Sequence, residues 1–196
     1  MARDSGPGRL PRNAPQRLEV GDVAEIGRFE AKVVRGPGPD DCWIWTGAIG
    51  DDGYGRFAIR RDVRGRFPRR PEDGREVMVR PPRYAVALYV GTVPAGLYAL
   101  HDRCDNPICV RAAEVDGRRP HVVLGTQQEN LTTMGARGRS YGGRPIWQHD
   151  GLTRAQRVAR SRALRLAVRG GWDAEAVRRA MLIGSQPALF DPVEDS

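Results

Sequence analysis

A chain of 196 residues, 40% of them apolar, has room for one buried core and an appendage, so one compact domain with tails is the expectation. A net charge of +8 and a pI near 10.2 favour a polyanion as partner, nucleic acid first. No apolar run is long enough to span a bilayer, and the start, MARDSGPGRLPRNAPQR, lacks the apolar stretch of a secretory signal, so no membrane partner and a cytosolic setting are expected.

Residues 1–17 are rich in Pro, Gly and Arg and read as a disordered basic arm. From 20 to 34 the apolar positions Val23, Ile26, Phe29, Ala31 and Val34 follow a helical stripe that the Gly-Pro-Gly of 36–38 ends. Trp43, Ile44 and Trp45 form a short strand. The GDDG of 50–53 supplies a hairpin turn, and 54–60 returns as the second strand with Tyr54, Arg56, Ala58 and Arg60 on one face. An arginine-loaded loop at 61–75 leads into a strand at 76–80. Pro81 and Pro82 open a helix that Gly91 stops, and 97–100 forms the next strand.

Thr126 with Glu129 three residues later is a capping box, which puts Asn130 in the first turn of a helix through Leu131 and Met134. A glycine- and arginine-rich linker at 140–151 precedes a basic two-helix appendage at 152–183, the first helix stopped by Gly170 and Gly171 and the second capped by Asp173. Such a pair either contacts DNA or packs on the preceding core with its arginines outward.

The chemistry concentrates between His101 and Asn130, in HDRCDNPICVRAAEVDGRRPHVVLGTQQEN. In a reducing compartment three closely spaced cysteines point to a metal rather than to disulfides, and an odd number cannot pair fully within one chain. Cys104, Cys109 and His121 can supply three corners of a zinc tetrahedron, and Cys42, in DDCWIWTG, the fourth. His101 and Asn130 are then left over for chemistry. A second assignment uses His101, Cys104, Cys109 and His121 as the tetrahedron and leaves a zinc module that only binds DNA.

The run of His, Cys, four residues, Cys, then His with an Asn nine positions on, preceded by CWIWTGAIGDDGYGRF, resembles the His-Cys box branch of the HNH (ββα-metal, His-Me finger) endonucleases, to which phage and homing enzymes belong. The resemblance covers about residues 27–139. It implies an α+β protein with a small ββα-metal nuclease core at 18–139, a zinc-stapled loop and a helical C-terminal appendage. It also implies His101 as general base, structural Zn²⁺ on Cys42, Cys104, Cys109 and His121, and catalytic Mg²⁺ on Asn130. The chain departs from the family pattern in four places. Two residues instead of one separate His101 from Cys104, the insert RAAEVDGRRP precedes His121, Pro82 replaces a frequent histidine, and Leu100 occupies a frequent aspartate position.

These residue types suit phosphodiester hydrolysis on their own terms. A neutral imidazole activates water near neutral pH, and magnesium, content with one amide oxygen when phosphate completes its shell, stabilises the scissile group. An arginine beside the phosphate would help, with Arg56 preferred over Arg60 or Arg83. Arg60, Arg64, Arg66, Arg69, Arg70, Arg137, Arg139 and Arg157 are the expected contacts to double-stranded DNA. Their contribution is electrostatic and should fall steeply with salt. His149 reads as a surface residue. In the tail at 184–196, Gln186, Leu189 and Phe190 resemble the short QxxLF peptide that docks into the bacterial sliding clamp.

Overall fold

The computed structural model describes residues 14–136 and 152–184. Helix α1 (Val23–Glu30) starts where Asp22 accepts a hydrogen bond from Glu25 N at 2.9 Å, and it buries Glu25 and Phe29. It is shorter than the expected stripe. Lys32 N closes onto Phe29 O at 2.9 Å, and the β-branched Val33 and Val34 enter strand β1 (Val33–Arg35) instead of continuing the helix.

Strand β2 (Trp43–Trp45) is buried throughout and pairs antiparallel with β1, Val33 opposite Trp45 and Arg35 opposite Trp43. This corrects the hairpin expected between Trp43–Trp45 and 54–60. The turn at 50–53 does form, with Gly50 N on Tyr54 O at 2.8 Å, but it joins only a short ladder in which Ile49 faces Gly55. Strand β3 (Phe57–Arg61) pairs instead with β4 (Arg75–Val79), across a loop that carries a short 3-10 turn at Pro71–Asp73. The two-residue alternation is as read: Phe57, Ile59 and Arg61 face inward, whereas Tyr54, Arg56, Ala58 and Arg60 are partly or fully exposed.

Helix α2 (Pro81–Tyr89) places its prolines where the first N–H groups of a helix have no internal partner, so the missing donors cost nothing. The core forms where α1, β2, β3 and α2 meet. The Phe29 ring lies 5.4 Å from Trp45, 5.5 Å from Phe57 and 4.7 Å from Tyr84.

Strands β5 (Tyr98–His101) and β6 (Val122–Gly125) form an antiparallel pair joined by the long loop 102–121, and helix α3 (Gln127–Ala136) follows β6 and contacts β5. The capping box is present: Glu129 N donates to Thr126 Oγ1 at 3.2 Å, and Thr126 N donates to Glu129 Oε2 at 2.6 Å. The molecule is thus mixed α and β with three small two-stranded sheets among the described residues.

The appendage, helices α4 (Arg154–Ala167) and α5 (Ala174–Leu182), packs on this core and buries Leu164, Val168 and Ala180. Ser161 Oγ donates to Gly53 O at 2.7 Å, and Arg157 Nε donates to Asp52 O at 2.6 Å. Among the described residues no helix is long and apolar enough to cross a membrane.

Candidate metal centre

The second edge of β2 builds the site. Trp45 N donates to Ile108 O at 2.9 Å and Val110 N to Trp43 O at 2.8 Å, so the 108–110 segment runs beside β2 with Cys109 opposite Ile44. Cys42, one residue before β2, is thereby brought to the knuckle. On the other side the β5–β6 ladder extends one step beyond His101 and Val122 through Asp102 N on His121 O at 2.8 Å, which fixes His121 at the base of the loop.

Four ligand atoms, from Cys42, Cys104, Cys109 and His121, lie within 4.8 Å of one another. Zinc–sulfur and zinc–nitrogen bonds of about 2.3 and 2.0 Å at a tetrahedral angle require a sulfur-to-nitrogen edge of about 3.5 Å. Cys42 Sγ lies 3.5 Å and Cys109 Sγ 3.7 Å from His121 Nδ1, so these two edges are close to the length that tetrahedron requires. The set of Cys42, Cys104, Cys109 and His121 can hold a metal such as zinc.

Proton chemistry leads the same way. Hydrogen bonds from the Cys104 and Cys109 thiols hold the Cys42 thiol well below its usual range. Cys109 is pushed up by burial and by its sulfur neighbours. Cys104 gains from a Cys109 hydrogen bond, but Cys42 and burial raise it overall. Three closely packed sulfurs, of which Cys109 is buried and Cys42 and Cys104 half-buried, accept one negative charge readily and resist two more unless a cation sits among them.

Among the described residues the buried side-chain atoms without hydrogen-bond partners are Tyr84 Oη, Asn106 Nδ2, Arg111 Nε and Arg111 Nη2; the last three, all N–H donors, belong to the knuckle or its immediate backing. A cavity of about 380 Å³ opens beside the cluster, and Asp40, Arg103, Arg118, Trp172 just before α5, and the α5 side chains Val177 and Met181 line it.

His101 ends β5 outside the four-ligand set, with Nδ1 3.9 Å from Cys104 Sγ. Asn130 lies in the first turn of α3, its N–H on Thr126 O at 3.0 Å. Arg56 sits at the 50–53 turn, ion-paired with Asp52 at 2.9 Å and bonded to the carbonyls of Tyr54 and Gly55. Burial works against the Asp52 carboxylate, but the Arg56 hydrogen bond and the Tyr54 N–H hold it below the usual range.

Arg83 holds the carbonyls of Gln16, Pro94 and Leu97, and burial pulls its guanidinium down to about 10. Arg60 bonds Gly74 O at 2.7 Å, and Arg157 stacks on Tyr54, opposite Asp52 O. Arg64, Arg66, Arg69 and Arg70 are exposed on the β3–β4 loop, with Arg66 paired to Asp62. Arg137, Arg139, His149, Gln186, Leu189 and Phe190 lie outside the described residues.

Two members of the site were not picked out from the sequence. Asn106 Oδ1 accepts from Ile108 N at 3.0 Å and shapes the turn between the two knuckle cysteines. Arg111 is fully buried, with Nη1 3.2 Å from both Asp41 O and His121 Nε2. The available signal was its place in the otherwise apolar run ICVRAA, where a solvated arginine is out of character.

No family model and no solved structure matches the chain. It is 31% identical to Protein 7.7 of Escherichia phage T7 over 107 residues, which cover 55% of this chain and 65% of that protein. To Protein 2.8 of the same phage it is 28% identical over 109 residues, 56% of this chain and 60% of the relative. The chain therefore spans somewhat less than two thirds of each relative it matches, and what it is similar to is phage-encoded protein.

Proposed function

We propose that the chain is a metal-dependent DNA endonuclease of the ββα-metal kind. One observation carries the reading: the four-ligand set is complete without His101. The His101 imidazole stands outside that set at the end of β5, in a hairpin whose following helix carries Asn130. In this reading zinc on Cys42, Cys104, Cys109 and His121 holds loop 102–121 in shape. His101 takes the proton of the attacking water, and the Asn130 side-chain oxygen would hold magnesium, which would supply charge stabilisation at the scissile phosphate. Arg56 serves the phosphate only by exchanging its Asp52 partner. The exposed arginines of the β3–β4 loop, with Arg60, Arg137, Arg139 and Arg157, add salt-sensitive affinity for double-stranded DNA, and Gln186, Leu189 and Phe190 remain a proposed clamp peptide. Phage-encoded relatives are consistent with a mobile-element enzyme.

A second reading, a non-catalytic zinc module, draws on the 3.9 Å separation of His101 Nδ1 from Cys104 Sγ. Nicking of supercoiled plasmid with magnesium and with EDTA, together with zinc content, separates the two for wild type, His101→Ala and Cys42→Ser. The endonuclease reading expects His101→Ala to keep its zinc and lose nicking, and Cys42→Ser to lose zinc. Zinc lost from His101→Ala, or no nicking by the zinc-loaded wild type, overturns it.

A further inference from the structure

Arg111 presents an unusual electrostatic problem. Its side chain is 0% exposed, and Nε and Nη2 have no partner at all. Among the described residues its polar contacts are Asp41 O and His121 Nε2, both at 3.2 Å and both through Nη1. Nearby carboxylates are engaged elsewhere: Asp41 Oδ2 accepts from Gly38 N at 2.7 Å, and Asp40 faces Arg118 at 3.8 Å. Among the described residues Arg111 makes no ion pair, in contrast to the buried Arg61, which holds Glu25. Burying an arginine without a counter-charge is strongly unfavourable, because water can no longer solvate the cation and nothing replaces it.

The metal centre offers the missing charge. Three thiolates and a neutral imidazole around a dication leave one excess negative charge, and His121 is the single ring that separates Arg111 from the sulfurs. With Nδ1 turned toward the metal position, the imidazole proton resides on Nε2. Nε2–H and the guanidinium then face each other as two donors, so on metal binding the Arg111 Nη1 donor stays with Asp41 O and turns off Nε2, and the charge of the thiolate set acts on it from across the ring.

We infer that Arg111 is the built-in counter-ion of a tris-thiolate, mono-imidazole zinc centre, so that the buried cation and the anionic complex are stable only together. Arg111 is a positioning and charge-balancing residue and ligates nothing itself. Asn106 Nδ2, the other unpartnered buried donor of the knuckle, adds to the same positive lining. The inference rests on the metal-centre part of the proposed function and is independent of hydrolysis.

The test uses full-length protein, zinc alone as ligand, and three chains: wild type, Arg111→Met, which keeps the apolar stem and loses the charge, and Arg111→Lys, which keeps the charge. Chelator competition should show zinc affinity lowered at least about tenfold in Arg111→Met and largely retained in Arg111→Lys. The cobalt-substituted spectra of all three should keep the tetrahedral thiolate signature. Thermal unfolding gives the sign that a packing role would not: metal-free Arg111→Met should be more stable than metal-free wild type, and zinc-loaded Arg111→Met less stable than zinc-loaded wild type. Unchanged affinity in Arg111→Met, equal losses in Met and Lys, or destabilisation of Arg111→Met with and without zinc overturns the counter-ion. A wild type that takes up no zinc overturns the metal centre itself.

Discussion

Glu25→Ala tests the ion pair that clamps α1 onto the β3–β4 hairpin. The Glu25 carboxylate receives Arg61 Nη2 at 2.6 Å and Nη1 at 2.7 Å, and it also accepts from Gly21 N at 2.8 Å; the two side chains are 3% and 2% exposed. Arg61 keeps the carbonyls of Glu19 and Arg60 when the carboxylate is removed, but its charge is left buried and unanswered. Breaking one side of such a pair costs about 3 to 5 kcal/mol. For a chain of this size that lowers the melting midpoint by roughly 6 to 20 °C. Urea and thermal unfolding, followed by the fluorescence of the buried tryptophans, measure it directly. The double variant Glu25→Leu/Arg61→Met, which removes both charges and keeps apolar volume, should recover most of the loss. The reasoning is refuted if Glu25→Ala costs less than about 1 kcal/mol, or if the double variant is as unstable as the single.

Gly53→Ala should loosen the appendage. Gly53 has φ of +83°, and an added Cβ would stand 2.8 Å from Arg157 Cγ and 2.9 Å from the backbone of α4, so amide exchange in α4 and α5 should accelerate while β5 and β6 stay protected. Thr126→Ala should fray the first turn of α3 at a cost of about 1 kcal/mol, read as faster exchange of the Glu129 and Asn130 amides. The Thr126 N–H and hydroxyl hold the Glu129 carboxyl below the usual range, so the contribution of the box is present above the unfolded carboxyl pKa. It is lost as pH falls through the lowered folded value, which a pH series of α3 amide exchange in wild type and Thr126→Ala should show.

What the sequence made legible was whatever local chemistry decides. The ligand set could be read because soft ligands in a loop with few large apolar residues have few other uses, and Asn130 because a capping box fixes a helix start within one residue. The alternation through Tyr54, Arg56, Ala58 and Arg60 was equally local. The partner of Trp43–Trp45 was not legible. Its hydrogen bonds go to 33–35 on one edge and to 108–110 on the other, and strand pairing over that separation leaves no trace in a turn motif. Arg61 and Arg111 were hidden for a different reason: in a chain with 32 lysines and arginines, a buried guanidinium looks like its solvated neighbours until its surroundings are known. Docking of α4 was left open, since it depends on Gly53 and Asp52 carbonyls that no side-chain pattern announces.

Cys42 and His121 stand 79 positions apart, and the interval between them contains β3, β4, α2 and β5. An ion that bridges them is therefore a cross-link closing a large ring, whose chain-entropy effect is roughly 4 to 5 kcal/mol, comparable with a disulfide over the same span. Chelation should then be felt well away from the knuckle, as faster opening of the middle third of the chain, even though no residue of β3, β4 or α2 supplies a ligand.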